Sequence, residues 1–172
     1  MVILLPKKEM LDAFGTISTK LDSKNRLKIP ARFKELISEY RKLYFYKGLN
    51  GTYYLDVPPV WKKTIARIKS KANRFNPKFA VFEQHFFNAA FDLNIDDHGR
   101  VVLSQHIMDL LKLQPGGELV VQGVGDGLAL YAKTEFENIL RASENTYESV
   151  AAQLFADDDN SIHNINSNDE TA

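Results

Sequence analysis

The segment Ile17-Ser-Thr-Lys-Leu-Asp22-Ser-Lys-Asn-Arg26-Leu-Lys-Ile-Pro30 contains the pattern from which the fold can be predicted. A related stretch returns later as Phe91-Asp-Leu-Asn-Ile-Asp96-Asp-His-Gly-Arg100-Val-Val-Leu-Ser104. Each predicts a strand, a tight Asp-x-x-x-Arg turn, a second strand and then a helix. The second turn lies 74 positions after the first, and a looser likeness links residues 45–51 to residues 120–127. The chain is therefore predicted to contain an internal repeat.

The two turns contain residues that suit a tight reversal of the backbone. Asn25 and Gly99 occupy the same place in the two copies, and these residue types adopt positive φ more easily than others. Asp22 and Asp96 can accept hydrogen bonds from the backbone amides of their own turns. We therefore predict that these four residues give the turns their structure.

The strand after the first turn alternates apolar and cationic side chains. Leu27 and Ile29 alternate with Arg26 and Lys28, which predicts one buried face and one cationic face. In the second copy the equivalent outward positions carry one cation, Arg100.

Besides a helix from Pro58 to about Ser70, two helices are predicted outside the repeated turns. On the first, over residues 74–90, Phe75, Phe79, Phe82 and Phe86 form one apolar stripe, which is predicted to face the core, with burial against a neighbouring subunit as the alternative. The second runs from Thr134 to about Phe155, and the polar, acidic sequence after it predicts disorder. The predicted organisation is an N-terminal extension (1–12), a first repeat (13–72), a linker helix (73–90), a second repeat with a C-terminal helix (91–155) and a disordered acidic tail (156–172).

The charges of the 172-residue chain balance overall, at 22 basic and 22 acidic residues, but they are unevenly distributed. Residues 1–91 carry 18 basic and 7 acidic side chains, whereas residues 92–172 carry 4 and 15. This asymmetry favours a basic surface for a polyanion, unless folding mixes the two halves. The lack of cysteine excludes disulfides and thiolate metal sites and favours a reducing cytoplasm. No stretch approaches the roughly 20 apolar residues of a membrane span.

At its paired Asp-x-x-x-Arg turns the sequence resembles the MraZ family, bacterial regulators built from two tandem AbrB-type repeats. The resemblance rests on residues 21–30 and 95–103, with support from Gly48-Leu-Asn-Gly51, Trp61 and the aromatic helix, and it covers roughly residues 14–150. It implies an α+β fold in which two pseudo-symmetric repeats form a swapped-hairpin β-barrel core with peripheral helices. It also implies a ring-like homo-oligomer that binds direct repeats in double-stranded DNA. Their expected place is the promoter of the cell-division and cell-wall operon that includes the protein's own gene. The usual outcome is repression, with activation as the alternative.

Some positions depart from the pattern of the family. Asn25 stands where the family has glycine, and Ser104 stands where it has proline. Asp97 and His98 replace more basic or amide residues, so the second copy is expected to serve folding more than DNA contact. Residues 1–12 precede the usual start of the family.

Six cations between Lys20 and Lys34 predict a surface that attracts duplex DNA by releasing condensed counterions. Arg26 is predicted to read a guanine edge through its planar guanidinium. In the alternative, Arg26 pairs with Asp22 or Asp96 and locks the fold, and the two roles are compatible. The residues expected to position the DNA backbone are Lys20, Lys24, Lys28 and Arg32, with Arg100 as the counterpart of Arg26.

Two other classes of function stay open. A metal-dependent hydrolase would use Asp92, Asp96, Asp97, His98 and His106, although these residues lack a recognised ligand spacing and neighbouring Asp96 and Asp97 should point apart. An antitoxin-like protein would use the acidic tail from Asp157 to wrap a basic partner. The favoured expectation is a regulator and not an enzyme, in the cytoplasm at the nucleoid. Its expected partners are DNA and itself, without a cofactor, metal, small-molecule substrate or membrane.

Overall fold

Eight strands and six helices make up most of the chain that the structure describes. The computed structural model describes residues 13–166, with side chains up to residue 156, so the predicted N-terminal extension lies outside the described residues. Two compact units divide the chain, one ending at Glu135 and the other beginning at Phe136. The strands are β1 (Ala13–Lys20), β2 (Arg26–Lys28), β3 (Lys42–Lys47), β4 (Tyr53–Asp56), β5 (Phe91–Asn94), β6 (Arg100–Val102), β7 (Glu118–Gly125) and β8 (Leu128–Ala132). The helices that lie wholly in the first unit are α1 (Lys34–Ile37), preceded by a 3-10 turn (Ala31–Phe33), α2 (Pro58–Lys71), α3 (Pro77–Asn88) and α4 (Gln105–Leu110).

Six strands form one antiparallel sheet, and the other two form a separate ribbon. The order in the sheet is β1-β7-β8-β4-β3-β5, and the ribbon pairs β2 with β6. The sheet is open because β1 and β5 lie at its two edges and each bonds to a single neighbour. Along β1 the exposed side chains include Thr16, Ser18 and Lys20, which suit an open edge. The α+β class is confirmed, whereas the expectation of a closed barrel is wrong for the described strands.

The strand pairing joins the first half of the chain to the second. In the ribbon, Leu27 lies opposite Val101, which is 74 positions further on. Across β4 and β8, Tyr54 lies opposite Ala129, which is 75 positions further on. If β1, β3 and β4 are exchanged with β5, β7 and β8, respectively, the strand order is the same when it is read from the opposite edge of the sheet. The strands of the two halves are therefore interleaved in the sheet.

The hydrophobic core lies between the ribbon and the large sheet. Leu27 and Val101 are 0% exposed and belong to one cluster with Phe45 of β3 and Leu130 of β8. Full burial of such a side chain contributes about 1.5–3 kcal/mol. Because side chains alternate along a strand, burial of Leu27 and Val101 turns the residues on either side of each outward. The core thus determines which face of the ribbon meets solvent.

The aromatic helix α3 begins three residues later than the sequence predicts. Pro77 occupies the first turn, and the Asn76 side chain caps the helix by accepting a hydrogen bond from the amide of Lys78 at 3.0 Å. Proline suits the first turn because a backbone N–H at this position would have no partner within the helix. The helix therefore starts at Pro77 and not at Arg74.

The prediction that the phenylalanine stripe faces the core is wrong for most of its length. Phe86 is buried, and its ring packs against Tyr46 and Trp61 at 5.6 and 6.0 Å. Phe82, however, is 41% exposed and Phe75 is 97% exposed. The reason is that Phe86, alone of the four, reaches the aromatic pair on the strands and α2. Burial against a neighbouring subunit stays open as the alternative.

Helices form the second unit. Helix α5 (Lys133–Ser143) crosses its boundary, a 3-10 turn follows at Glu144–Thr146, and α6 covers Tyr147–Asn166. Helix α6 thus continues to Asn166, into the region from residue 156 onward where the sequence predicts disorder, and it contains no glycine or proline to end it earlier. Residues 167–172 lie outside the described residues, and the predicted domain boundaries stay predictions. Between residues 13 and 166, none of the helices combines the length and apolar character needed to cross a bilayer.

Candidate nucleic-acid interface

The first Asp-x-x-x-Arg turn is closed by a single carboxylate. Asp22 Oδ1 accepts hydrogen bonds from the backbone amides of Lys24 at 2.9 Å and Arg26 at 3.0 Å. Asp22 Oδ2 accepts a third from Arg26 Nε at 2.7 Å, and Asn25 takes a φ of 54° within the turn. The Arg26 amide above all, with help from the other two donors and against partial burial, lowers the pKa of Asp22 to about 2. The carboxylate is therefore charged, and the turn closed, at neutral pH.

The second turn has the same geometry. Asp96 Oδ1 accepts from the amides of His98 and Arg100, both at 2.9 Å, and Oδ2 accepts from Arg100 Nε at 2.7 Å. Gly99 takes a φ of 72°. Partial burial acts to raise the pKa of Asp96, but the hydrogen bonds from Arg100 and His98 outweigh it and hold the pKa below its ordinary value. Each arginine is thus oriented by the aspartate of its own turn.

The ribbon brings cations from both halves of the chain onto one outward face. Lys28 lies directly opposite Arg100, and Arg26 lies opposite Val102. Like charges directly opposite each other across an antiparallel pair are destabilising. Among residues 13–156, no carboxylate forms an ion pair with Lys28. The face therefore has a positive potential that an external anion would neutralise.

The two turns lie at opposite ends of this face. The amide of Ile29 donates to the carbonyl of Gly99 at 3.0 Å, and the amide of Leu103 donates to the carbonyl of Asn25 at 2.9 Å. Asn25 and Ile29, the residues of the first half that form these two bonds, lie four positions apart on either side of β2, which corresponds to about 13 Å along a strand. A guanidinium has five N–H donors, and within residues 13–156 Arg26 and Arg100 use only Nε for hydrogen bonds. The remaining donors are available to a ligand.

Lys20 and Arg32, two predicted backbone contacts, are bound to other groups of the protein. Lys20 Nζ lies 3.3 Å from Glu118 Oε1 at the end of β1. Arg32 Nε donates to the carbonyl of Phe14 at 2.9 Å, and its guanidinium lies 4.9 Å from the centre of the Phe14 ring. These two cations therefore contact β1 or its partner strand and do not belong to the ribbon, which holds Arg26, Lys28 and Arg100 with Lys24 in the adjoining turn.

One cation beside the second turn was missed by the sequence analysis. Arg41 Nη1 lies 3.5 Å from Asp97 Oδ1, and the Arg41 carbonyl accepts a hydrogen bond from the amide of Ile95 at 2.9 Å. Arg41 is 56 positions from Asp97, so no local pattern could link them. The second turn has His98 where the first turn has Lys24. Arg41 adds a positive charge beside this second turn.

The carboxylates considered for a hydrolase are held by three different cations. Asp92 Oδ2 lies 2.6 Å from Lys42 Nζ, whereas Asp96 pairs with Arg100 and Asp97 with Arg41. The hydrogen bond from Lys42 also holds the pKa of Asp92 below its ordinary value. The part of the chain that the structure describes has no group of three histidine, aspartate or glutamate side chains arranged to hold a metal ion. The geometry does not favour hydrolysis.

Known proteins match this chain over most of its length. The family model described as "MraZ protein, putative antitoxin-like" matches residues 86–158. A transcriptional regulator MraZ from Carboxydothermus hydrogenoformans is 31% identical over 141 residues, which cover 81% of this chain and 94% of that protein. Proteins of the same name from Desulforamulus reducens and Pelotomaculum thermopropionicum are 27% and 28% identical, over 81% of this chain and 95% and 93% of their own lengths.

These matches, together with the α+β fold and the paired Asp–Arg turns, define the class of the protein as an AbrB-like transcriptional regulator. Proteins of this class are not enzymes, so the expectation that the chain is no hydrolase is confirmed. Within the class, the chain belongs to the MraZ family.

Proposed function

We propose that the ribbon of β2 and β6, with the turns at its ends, is the surface through which this regulator binds DNA. The observation that carries the proposal is Lys28 directly opposite Arg100, next to Arg26, on an outward face. A ribbon that served folding alone would gain stability from an opposite charge at one of these positions. An anion-binding face, in contrast, needs the cations that are present.

The dimensions of the ribbon suit the major groove of B-DNA. That groove is about 12 Å wide and admits a two-stranded ribbon, and the two turns lie about 13 Å apart. With the ribbon across the groove, each turn lies near one phosphate backbone. Lys24 then contacts the phosphates of one strand, and Arg41 contacts those of the other. The Nη groups of Arg26 and Arg100 then face the base edges, where a bidentate bond to guanine is the commonest specific contact.

The Asp–Arg pairs support this role. Asp22 and Asp96 hold the Nε atoms of Arg26 and Arg100 at 2.7 Å, so the guanidinium planes are oriented before DNA arrives. Pre-orientation lowers the conformational entropy that binding costs. Locking the turn and reading a base are therefore compatible roles of one arginine. Lys20 and Arg32 act in the proposal as further phosphate contacts on the β1 side.

Several ribbons acting together supply the affinity that one ribbon lacks. A ring-like homo-oligomer that engages several direct repeats gains about 10²–10⁴ in apparent affinity from effective concentration. The proposed target is the promoter of the cell-division and cell-wall operon that includes the protein's own gene, where the protein acts as a repressor in the cytoplasm, at the nucleoid. Membership in the MraZ family supports this reading.

Substitution of Arg26 tests base reading. Binding is measured by fluorescence anisotropy with the duplex immediately upstream of the gene and with a scrambled duplex of equal length. Arg26→Ala is expected to abolish the preference for the upstream duplex while the mass of the oligomer is unchanged. Arg26→Lys keeps the charge but loses the planar fork, which carries about 1–3 kcal/mol of discrimination per base contact. Equal preference in wild type and both variants would overturn the assignment.

The salt dependence of binding tests the position of Lys28. Lys28→Ala is expected to reduce the slope of log affinity against log salt by about 0.9 for each engaged subunit. Lys62→Ala, which removes the same charge from an exposed position of α2, is the matched control and should leave the slope unchanged. An unchanged slope for Lys28→Ala would contradict the proposed placement of the ribbon.

An antitoxin-like role is the alternative that the description of the family model favours. In that case the acidic C-terminal segment binds a small basic protein. Purification of the chain from its own cells decides between the two, since an antitoxin is expected to copurify with its toxin and a regulator is expected to purify without one.

A further inference from the structure

An open apolar groove lies between α2 and α3. Its volume is about 670 Å³, and its apolar lining includes Leu49, Ile68, Phe79 and Phe82. Leu49, Phe82 and the neighbouring Val81 are large side chains that remain exposed. A continuous apolar surface of this kind marks a site of interaction.

Cations line the same groove. Lys47, Arg67 and Lys71 lie beside the apolar side chains, and the lining, which belongs to the described residues, includes no aspartate or glutamate. Helix α2 as a whole has five lysine or arginine residues and no carboxylate. An occupant of the groove should therefore combine an apolar row with negative charge.

The second unit contains a segment with this chemistry. On α6, Tyr147, Val150 and Leu154 follow at spacings of three and four and share one helix face. All three are exposed, Leu154 at 69%. Glu144 and Glu148 lie next to the start of this row.

The apolar rows on α6 and α3 also agree in length. The row from Tyr147 to Leu154 on α6 and the row from Phe79 to Phe86 on α3 each cover seven steps of a helix, or about 10 Å. The segment can therefore contact the α3 side of the groove along its whole length.

We propose that the segment 144–155 of one chain docks in the α2–α3 groove of a second copy. The proposal rests on the oligomer of the proposed function and assigns its contact surface. Because groove and helix are different surfaces, every chain donates a helix to one neighbour and receives a helix from another. Head-to-tail contacts of this type close into rings when the rotation between neighbours permits it.

The charges favour this contact over a symmetric one. Two copies packed groove against groove would bring Lys47, Arg67 and Lys71 of one chain close to the same residues of the other, and such juxtaposition of like charges is costly. Docking of the acidic segment instead places Glu144 and Glu148 among these cations.

Complementation between two variants tests the proposal. Phe82→Glu disables the groove and Leu154→Glu disables the helix, since docking in either case would bury a carboxylate within the apolar row of the contact. Masses are measured by light scattering for each variant and for an equimolar mixture. Each variant alone is expected to have the mass of one chain. The mixture is expected to have the mass of two, because one intact groove meets one intact helix.

Controls make the remaining outcomes decisive. Val102→Glu introduces the same charge at an exposed ribbon position and should keep the wild-type mass. Circular dichroism verifies the fold of each variant, and Val81→Glu with Val150→Glu is the second pair for the case that either variant unfolds. A mixture that stays at the mass of one chain would overturn the proposal. The proposal would also be overturned if Phe82→Glu lost the oligomer while Leu154→Glu kept it, because this outcome indicates groove-to-groove packing.

The readouts separate this proposal from the DNA-binding one. Mass is measured without DNA, whereas Arg26→Lys is expected to change sequence preference without changing mass. The single-chain variants should keep the salt-dependent binding of one ribbon and lose about 10²–10⁴ in affinity for the promoter. An oligomer that assembles through the groove but does not prefer the promoter would refute the proposed function and leave the docking intact.

Discussion

Replacing Asp56 by asparagine is expected to remove a fall in stability between about pH 4 and pH 6. Asp56 is 3% exposed, and its Oδ2 accepts a hydrogen bond from the Tyr46 hydroxyl at 2.6 Å. Burial raises the pKa of Asp56 to about 6, although the bond from Tyr46 opposes the shift and the charge of Asp126 adds to it. The native state therefore keeps a proton on Asp56 at pH values where the unfolded chain, with a pKa of about 3.9, has lost it.

The sign and the size of the effect follow from this difference. A group whose pKa is raised by folding contributes stability below its unfolded pKa, and the contribution is lost as the pH rises through the folded value. A difference of about two units corresponds to about 3 kcal/mol. The lowered pKa values of Asp22 and Asp96 act in the opposite direction at lower pH, but they are common to wild type and variant and cancel in the difference.

Urea unfolding at fixed protein concentration, repeated from pH 4 to pH 8, measures this difference. The free energy of unfolding of wild type minus that of Asp56→Asn should decrease by about 3 kcal/mol over the range. Tyr46→Phe removes the hydrogen-bond donor that favours the ionised form of Asp56. The fall in the free energy of unfolding should therefore extend to higher pH in this variant. A difference between wild type and Asp56→Asn that does not change with pH, or that grows as the pH rises, would refute the reasoning.

Three further predictions concern the backbone and the surface charges. Gly127→Ala should destabilise the protein by about 1–3 kcal/mol in thermal unfolding, because the added Cβ would collide with Asp56 Oδ1 in the core. Asn25→Val should cost about 1–2 kcal/mol in the same assay, since Asn25 has a φ of 54° that a β-branched residue tolerates poorly, while Asn25→Gly should be nearly neutral. Lys20→Ala removes an exposed ion pair with Glu118 and should change stability by less than about 1 kcal/mol. In the anisotropy assay Lys20→Ala should change the salt slope less than Lys28→Ala does.

The turns could be predicted from the sequence because the contacts that close them are local. Asp22 and Asp96 bond to groups two and four residues away, and the positive φ of Asn25 depends on that residue itself. The cation beside the second turn could not be predicted in this way, because Arg41 reaches Asp97 only after β3 and β5 have paired.

The exposed end of the aromatic stripe is a second case. The period of Phe75, Phe79, Phe82 and Phe86 defines one helix face but does not say what covers it. The structure buries Phe86 against Trp61 and leaves Phe75 in solvent. Similarly, the resemblance to the MraZ family implied a closed barrel, whereas the pairing of β1 and β5 with one neighbour each leaves the sheet open.

The amino-acid sequence was enough to predict the two turns, the alternation of apolar and cationic side chains on β2, and the family. The folded chain was needed to show that Lys28 lies opposite Arg100 across the ribbon, that Lys20 and Arg32 contact other groups instead, and that a basic groove lies open beside α3. The difference comes from distance along the chain. Hydrogen bonds within four residues form wherever the local sequence permits them, but the register between segments about 70 positions apart is set by burial of Leu27 and Val101 in one shared core.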